Sequence, residues 1–343
     1  MNDKEAVLEA LKVVQDPDLH KDIVTLGFIK DLAVCAGAVK FKIELTTPAC
    51  PVKEQLKQQA YDAVMGVEGV VTVNIEMTAQ VKSSLPVGNQ LGGDIKHVIA
   101  VTSGKGGVGK STCAVNLAAA LSATGAKVGI LDADVYGPNV PVMMGIHRKP
   151  EGRGKKLFPI KAHNIKTMSV GYMIEDGQPV MWRGPMLHRA LQQFLQDVEW
   201  GELDYLIVDM PPGTGDAQLS LAQLVPLTGM VVITTPQEVS QTDVRRAIGM
   251  AEQVKTSILG VIENMTGEIF GEGGGKTISE KFDIPFLGSI PLQADVRQCG
   301  DSGVPVVVED PESNVAQIFR EMAGKVAAEI SKVQATSLPV LEV

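Results

Sequence analysis

Cysteine is sparse in this 343-residue chain: there are four, Cys35, Cys50, Cys113 and Cys299, all far apart. No two form a C-x-x-C pair, which argues against a disulfide framework or a zinc finger and leaves reduced thiols as the expectation. Aromatic residues make up only 4%, too few for an aromatic-rich binding surface. A basic excess is also missing. The formal net charge is −9, which argues against a general nucleic-acid binder. No apolar run is long enough to cross a bilayer, and Met1-Asn2-Asp3-Lys4-Glu5 lacks the basic-then-apolar pattern of a secretory signal. The expectation is a cytoplasmic protein without a stable membrane anchor.

Apolar residues are plentiful, at 45% against 21% charged, with Gly, Val, Ala and Ile prominent. That balance suits buried parallel strands covered by helices, and the length allows two domains. Residues 1–80 read as a small α+β unit. Lys4–Gln15 carries a helical stripe, Asp16-Pro17-Asp18 breaks it, and Phe28–Val34 with Val39–Leu45 form a hairpin around Ala36-Gly37. Pro51 is expected in the first turn of a second helix, and a strand near Val70–Met77 closes the unit. Residues 81–96, polar and rich in Ser, Gly and Pro, read as a linker.

From 97 to 335 short apolar runs alternate with helical stretches, which predicts an α/β fold with a mostly parallel sheet flanked by helices. The candidate strands are Val98–Thr102, Lys127–Leu131, Tyr205–Val208, Met230–Thr234, Leu259–Ile262 and Phe286–Ile290. A helix is expected over Val315–Lys332, followed by a tail at 336–343. Ligands of such sheets bind at the carboxyl ends of the strands.

Gly104-Lys105-Gly106-Gly107-Val108-Gly109-Lys110-Ser111, continued by Thr112, fits G-x-x-x-x-G-K-[ST] in full, after a strand and ahead of a helix. Glycines let backbone N–H groups turn inward on phosphate, and the helix start adds a favourable dipole. Lys110 is expected to reach the β- and γ-phosphates of ATP and the Ser111 hydroxyl to bind Mg²⁺. Asp132 and Asp134 follow a strand two residues apart, so both can face one pocket. Asp134 is the candidate for orienting the attacking water, with Asp132 supporting the metal shell or the loop. Asp204-Tyr205-Leu206-Ile207-Val208-Asp209 has the form of a Walker B strand, with Asp209 on Mg²⁺ through water. The segment Met210–Asp216 reads as a γ-phosphate-sensing switch. Asn264 has the groups to read a nucleotide base and equally those of a turn asparagine; residue chemistry leaves both open.

The word Lys105–Thr112 resembles the deviant Walker A loop of MinD/ParA-type ATPases, which implies that Lys105 contacts nucleotide across a homodimer. Leu131–Asn139, Met181–Met186, Asp209–Asp216, Glu263-Asn264-Met265 and Gly271–Gly275 are similar to segments of Mrp-type (ApbC-like) iron–sulfur cluster carriers. Asp16-Pro17-Asp18 and Thr47-Pro48-Ala49-Cys50-Pro51 resemble the small iron–sulfur-assembly domain often fused ahead of them. The resemblance implies a homodimeric Mg²⁺-dependent ATPase that carries an iron–sulfur cluster to apo iron–sulfur proteins or scaffold proteins. It also favours Asn264 as the adenine contact.

One departure stands out. Members commonly carry C-x-x-C soon after Glu-Asn-Met, whereas here Thr266–Phe270 runs into the glycines without a cysteine. Thiolates are the standard cluster ligands, which leaves Cys50 as the candidate substitute and Cys299 behind it, while Cys113 reads as core. Two other readings stay open: a MinD/ParA-like positioning switch, against which the tail Ser337–Val343 has no basic residue, and an apo-protein assembly chaperone without its own cluster.

Overall fold

The computed structural model describes residues 3–85, 91–135, 137–173, 184–213 and 216–337. Tyr136, Met181, Trp182, Arg183, Thr214, Gly215, part of the expected linker (86–90) and the tail from Leu338 lie outside the described residues. The chain divides into two compact units, residues 1–82 with 327–343, and residues 83–326.

In the first unit helix α1 covers Asp3–Leu11 and stops short of the expected Gln15. Beyond it the backbone tightens into Lys12 N to Glu9 O (3.2 Å) and Val14 N to Leu11 O (3.1 Å), and the Asp16 carboxylate accepts the N–H groups of Asp18 and Leu19, both at 2.9 Å, and fixes the turn that follows. Strands β1 (Ile29–Cys35) and β2 (Ala38–Leu45) form the expected antiparallel hairpin. Its turn has Ala36 and Gly37 both at positive φ, as a two-residue primed turn requires. Helix α2 covers Lys53–Met65 with Val52 at its N-cap, so Pro51 lies ahead of the helix rather than in its first turn. The crossover through α2 makes β3 (Thr72–Ala79) pair parallel to β2, from Ala38↔Thr72 to Leu45↔Ala79. Leu11, Ile23, Phe41, Ile43, Leu56 and Ala60 are fully buried between these helices and the sheet.

The second unit is built on β4 (Ile95–Ser103), β5 (Val128–Asp132), β6 (Ile160–Ala162), β7 (Ile165–Ser169), β8 (Leu203–Asp209), β9 (Gly229–Thr234), β10 (Ile258–Thr266) and β11 (Phe286–Pro291). They form one sheet in the order β6-β7-β5-β8-β4-β9-β10-β11, parallel except for the β6–β7 pair. All six strands expected from the sequence are present, and β6 and β7 are additions. The flanking helices include α3 (Lys110–Ala123), α4 (Gly184–Gln196), α5 (Asp216–Leu224), α6 (Glu238–Gln253), α7 (Gly274–Phe282) and α8 (Ala294–Ser302). Helix α9 covers Asn314–Ser337.

The described parts of the expected linker are tied down. Ser84 Oγ lies 2.9 Å from His97 Nδ1 and 2.8 Å from Thr228 Oγ1. Gly92 donates to the Leu195 carbonyl and accepts from the Trp200 amide.

Candidate functional site

β4 delivers the chain into the loop 104–109 at the carboxyl edge of the sheet, and α3 starts at Lys110. The turn needs left-handed backbone at Gly107 (φ 80°) and Gly109 (φ 78°), which costs an L-residue about 1–2 kcal/mol. Gly109 is further constrained by crowding, since a Cβ there would lie 2.2 Å from Asn264 Nδ2. Gly109→Ala is therefore expected to weaken nucleotide binding by at least about tenfold, the effect of some 1.4 kcal/mol. Isothermal titration with ADP checks this. Gly106→Ala serves as the fold control, because its Cβ would meet only Pro212 Cβ at 3.9 Å.

Two strands flanking or near β4 bring carboxylates to the same edge. Asp209, which ends β8, sits in register with Val101 of β4 on one side and Asp132 of β5 on the other. Lys110 projects between them: its Nζ is 2.5 Å from Asp209 Oδ1, 3.7 Å from Asp134 Oδ2 and 3.4 Å from Ser111 Oγ. All four residues are buried. Burial pushes the Asp209 carboxyl up from its ordinary value, against the pull of Lys110 and the Ser111 hydroxyl. Its Oδ2 is buried without a hydrogen-bond partner among the described residues. An unsatisfied carboxylate oxygen beside a hydroxyl is the hard-oxygen donor set that Mg²⁺ takes.

Asp132 and Asp134 part company. Asp132 accepts the Ser169 hydroxyl (2.9 Å), the Val140 amide (3.3 Å) and the Asp134 amide (3.1 Å). Its carboxyl is pushed well up, first by burial and then by the charge of Asp209. It shapes the turn that carries Asp134. Asp134 itself lines a cleft of about 300 Å³ together with Lys105, Lys110, Ser111, Thr112 and Met265. Lys105 is half-buried there, and its ammonium has no ion pair among the described residues.

Asn264, near the end of β10, is buried and donates from Nδ2 to the Val108 carbonyl at 2.8 Å. It thus grips the phosphate loop from the side. Its neighbour Glu263, which the sequence reading passed over, is fully buried. It accepts the amides of Gly273 (3.1 Å) and Gly275 (2.8 Å) and the Ser289 hydroxyl (3.1 Å). β10 therefore fixes the phosphate loop with one residue and the glycine segment with the one before it. Also unforeseen are Ser169 and Gln218. Gln218 is buried on α5 and bonds Thr102 just ahead of the loop. Their partners lie 37 and 116 residues away, a separation that leaves no spacing signal. The described part of the expected switch is held at both ends, by Met210 N to Val101 O (3.0 Å) and Gly213 N to Ser103 O (3.1 Å).

Cys35 is exposed, Cys113 buried as expected, and Cys50 and Cys299 half-buried. Among the described residues no three His, Cys, Asp or Glu side chains form a group able to hold a metal ion. Burial pushes the Cys50 thiol up to about 11 and the Cys113 thiol to about 12, and it also raises Cys299. After Met265 the chain makes a tight loop closed by paired Gly267–Gly271 backbone bonds, with Ile269 76% exposed at its tip.

Comparison with known proteins agrees with the fold. Residues 94–327 match the model of a family described as NUBPL iron-transfer P-loop NTPase, and residues 4–75 match that of an iron–sulfur cluster assembly protein domain. A protein of Synechocystis named iron–sulfur cluster carrier protein is 47% identical over 345 residues, covering 95% of this chain and 98% of its own. Among solved structures, a nucleotide-binding protein from Archaeoglobus fulgidus in complex with ADP is 38% identical over 66% of this chain and 92% of its own, with a TM-score of 0.57. The cell-division ATPase MinD of Pyrococcus furiosus, 22% identical over 67% of this chain and 98% of its own, has a TM-score of 0.55 and shares the fold. Among the described residues no helix is long and apolar enough to cross a membrane.

Proposed function

The chain belongs to the NUBPL iron-transfer family of P-loop NTPases, and from that premise we propose that it is an iron–sulfur cluster carrier or assembly factor driven by ATP as a homodimer. The observation that carries the ATP half is the placement of Lys110 between Asp209 and Asp134 at the mouth of a glycine loop. Lys110 and the loop amides hold the β- and γ-phosphates. The Ser111 hydroxyl and Asp209, whose Oδ2 has no hydrogen-bond partner among the described residues, would hold Mg²⁺, which would supply positive charge beside the phosphate oxygens. Asp134 accepts the proton of the attacking water. Asn264 keeps its amide oxygen for the adenine amino group while its nitrogen holds the loop. Lys105 serves the nucleotide of the second copy.

The cargo half rests on family membership and on Cys50. A thiol held up at about 11 gives little thiolate at neutral pH, and binding of iron displaces its proton. Anaerobic reconstitution of the whole protein is expected to yield iron and sulfide in cluster stoichiometry, and Cys50→Ser to lower both at least about tenfold, since thiolate is the expected ligand. Equal iron and sulfide in the two proteins removes Cys50 from the role. The absence, among the described residues, of three His, Cys, Asp or Glu side chains grouped to hold a metal ion favours a second reading, an assembly chaperone that handles apo-proteins without holding a cluster. That reading predicts no iron–sulfur chromophore in either protein, with ATP turnover intact.

A further inference from the structure

The segment that joins β8 to α5 is tied to three consecutive residues of β4. Met210 donates its amide to the Val101 carbonyl (3.0 Å), and Gly213 donates to the Ser103 carbonyl (3.1 Å). Between them, Gln218 in the first turn of α5 donates from Nε2 to the hydroxyl of Thr102. Ser103 carries the restraint onward, since its own hydroxyl donates to the Lys105 carbonyl (2.9 Å) inside the phosphate loop. The strand that leads into the phosphate loop is therefore fastened to this segment at residues 101, 102 and 103.

Two of these ties are backbone bonds, open to almost any residue. The third needs a particular pair of side chains, and packing alone does not call for it. Gln218 is 1% exposed and Thr102 is wholly buried. On α5 Gln218 shares a face with Leu221 and Ala222, both buried, at the i, i+3, i+4 spacing of an apolar stripe. Its Oε1 has no hydrogen-bond partner among the described residues. A buried polar atom left unmet costs more than one neutral hydrogen bond returns, so a leucine here would stabilise the fold better. Three buried side-chain polar atoms lack a partner among the described residues: Asp209 Oδ2, Gln218 Oε1 and Arg320 Nη2. Two of them bracket this one segment. A polar residue set against the demands of packing is expected where the chemistry needs it.

We infer that Gln218 is a positioning residue for ATP turnover, holding α5 through Thr102 against the strand that carries the phosphate loop. The inference rests on the ATPase reading above and adds to it the regulation of the same site. Among the described residues of the cleft wall Gln218 does not appear, so it acts on the nucleotide through β4. The backbone ties end at Gly213, and the Gln218–Thr102 bond extends them to α5. Asp209 and α5 thereby keep one placement relative to the loop while the γ-phosphate is cleaved, and a shift of the loop on binding triphosphate is passed to α5.

The test uses the full-length protein, a double variant that combines Thr102→Val with Gln218→Leu, and Thr102→Ser. Replacing both partners by apolar groups of the same shape is close to neutral for the fold, so the double variant is expected to melt no lower than the unmodified protein. Its kcat for ATP is nevertheless expected to fall about tenfold with KM unchanged. Thr102→Ser, which keeps the hydroxyl, is expected to hold turnover within about twofold of the unmodified protein's. A non-hydrolysable ATP analogue is expected to slow amide exchange at Leu221 and Ala222 about tenfold in the unmodified protein, and less than about twofold in the double variant. Turnover that survives with the melting temperature in the double variant makes the pair a packing feature and overturns the inference. So do a rise in KM that accounts for the whole loss, and equal protection of the two amides in both proteins. If the double variant melts lower, Gln218→Met alone decides: a kcat about tenfold lower at unchanged KM supports the role, and full turnover overturns it. Absence of ATP turnover in the unmodified protein sinks the ATPase reading, and the exchange comparison then judges the coupling of loop and α5 separately.

Discussion

Lys110→Ala is expected to lower ATP turnover by about 10²–10³-fold, the usual cost of deleting one preorganised charge from a reaction centre. It is also expected to weaken nucleotide binding, because the ammonium is the only side-chain cation within 4 Å of Asp134 and Asp209 among the described residues. The substitution has a second consequence. It leaves two carboxylates buried without their shared cation, and breaking a buried pair by removing one partner costs about 3–5 kcal/mol. Asp209 already stands above the ordinary carboxylate range through burial, and Lys110 is the foremost influence pulling it down. Without that pull the raise grows, and the folded variant holds a proton that the unfolded chain releases near 3.8. Stability then falls as pH rises from 3.8 towards the raised folded value. Thermal melts of Lys110→Ala are thus expected to be higher at pH 5 than at pH 8, with the deficit against the unmodified protein widening with pH. Lys110→Gln, which keeps most of the side-chain bulk, separates the turnover loss from any folding defect. Unchanged turnover in both variants removes the cleft from the mechanism.

How much of this was legible in the sequence depends on how local each feature is. The phosphate loop is one contiguous word whose glycines answer to local backbone angles, so its position and its conformational demands at Gly107 and Gly109 follow directly. The six parallel strands read as apolar runs because both faces are covered. β7 does not: Ile165-Lys-Thr-Met-Ser has polar residues at alternate positions, although Thr167 and Ser169 are wholly buried. Burial is tolerated because Thr167 donates to the Ile160 carbonyl and Ser169 to Asp132, partners that only the folded chain supplies. Asp132 was half legible. The sequence leaves it supporting either the metal shell or the loop, and its three donors show that it builds the turn. The shortened α1 is the reverse case, where the signal was present: an Asp beside a Pro takes backbone N–H groups for a turn, and the helix ends four residues before the Gln15 that apolar periodicity alone suggests.

The division of labour between those two aspartates yields the second large expectation. Asp134→Asn is expected to lower turnover by about 10²–10⁴-fold, the range for a lost general base, with ADP affinity and melting temperature close to those of the unmodified protein. The amide keeps an oxygen for the Gly137 N–H, which now reaches Asp134 Oδ1 at 3.3 Å, so the loop need not move. Asp132→Asn behaves differently. Three donors converge on its carboxylate, and an amide turns one of those contacts into donor against donor, at about 1–3 kcal/mol for a buried group left unsatisfied. Its melting temperature falls, and turnover falls with it only because the turn holding Asp134 loosens. Calorimetric melts and single-turnover hydrolysis on both variants separate the roles. Full hydrolysis in Asp134→Asn hands the water to another group. A stable Asp132→Asn that binds ATP but does not cleave it exchanges the two assignments, making Asp132 the one that does the chemistry.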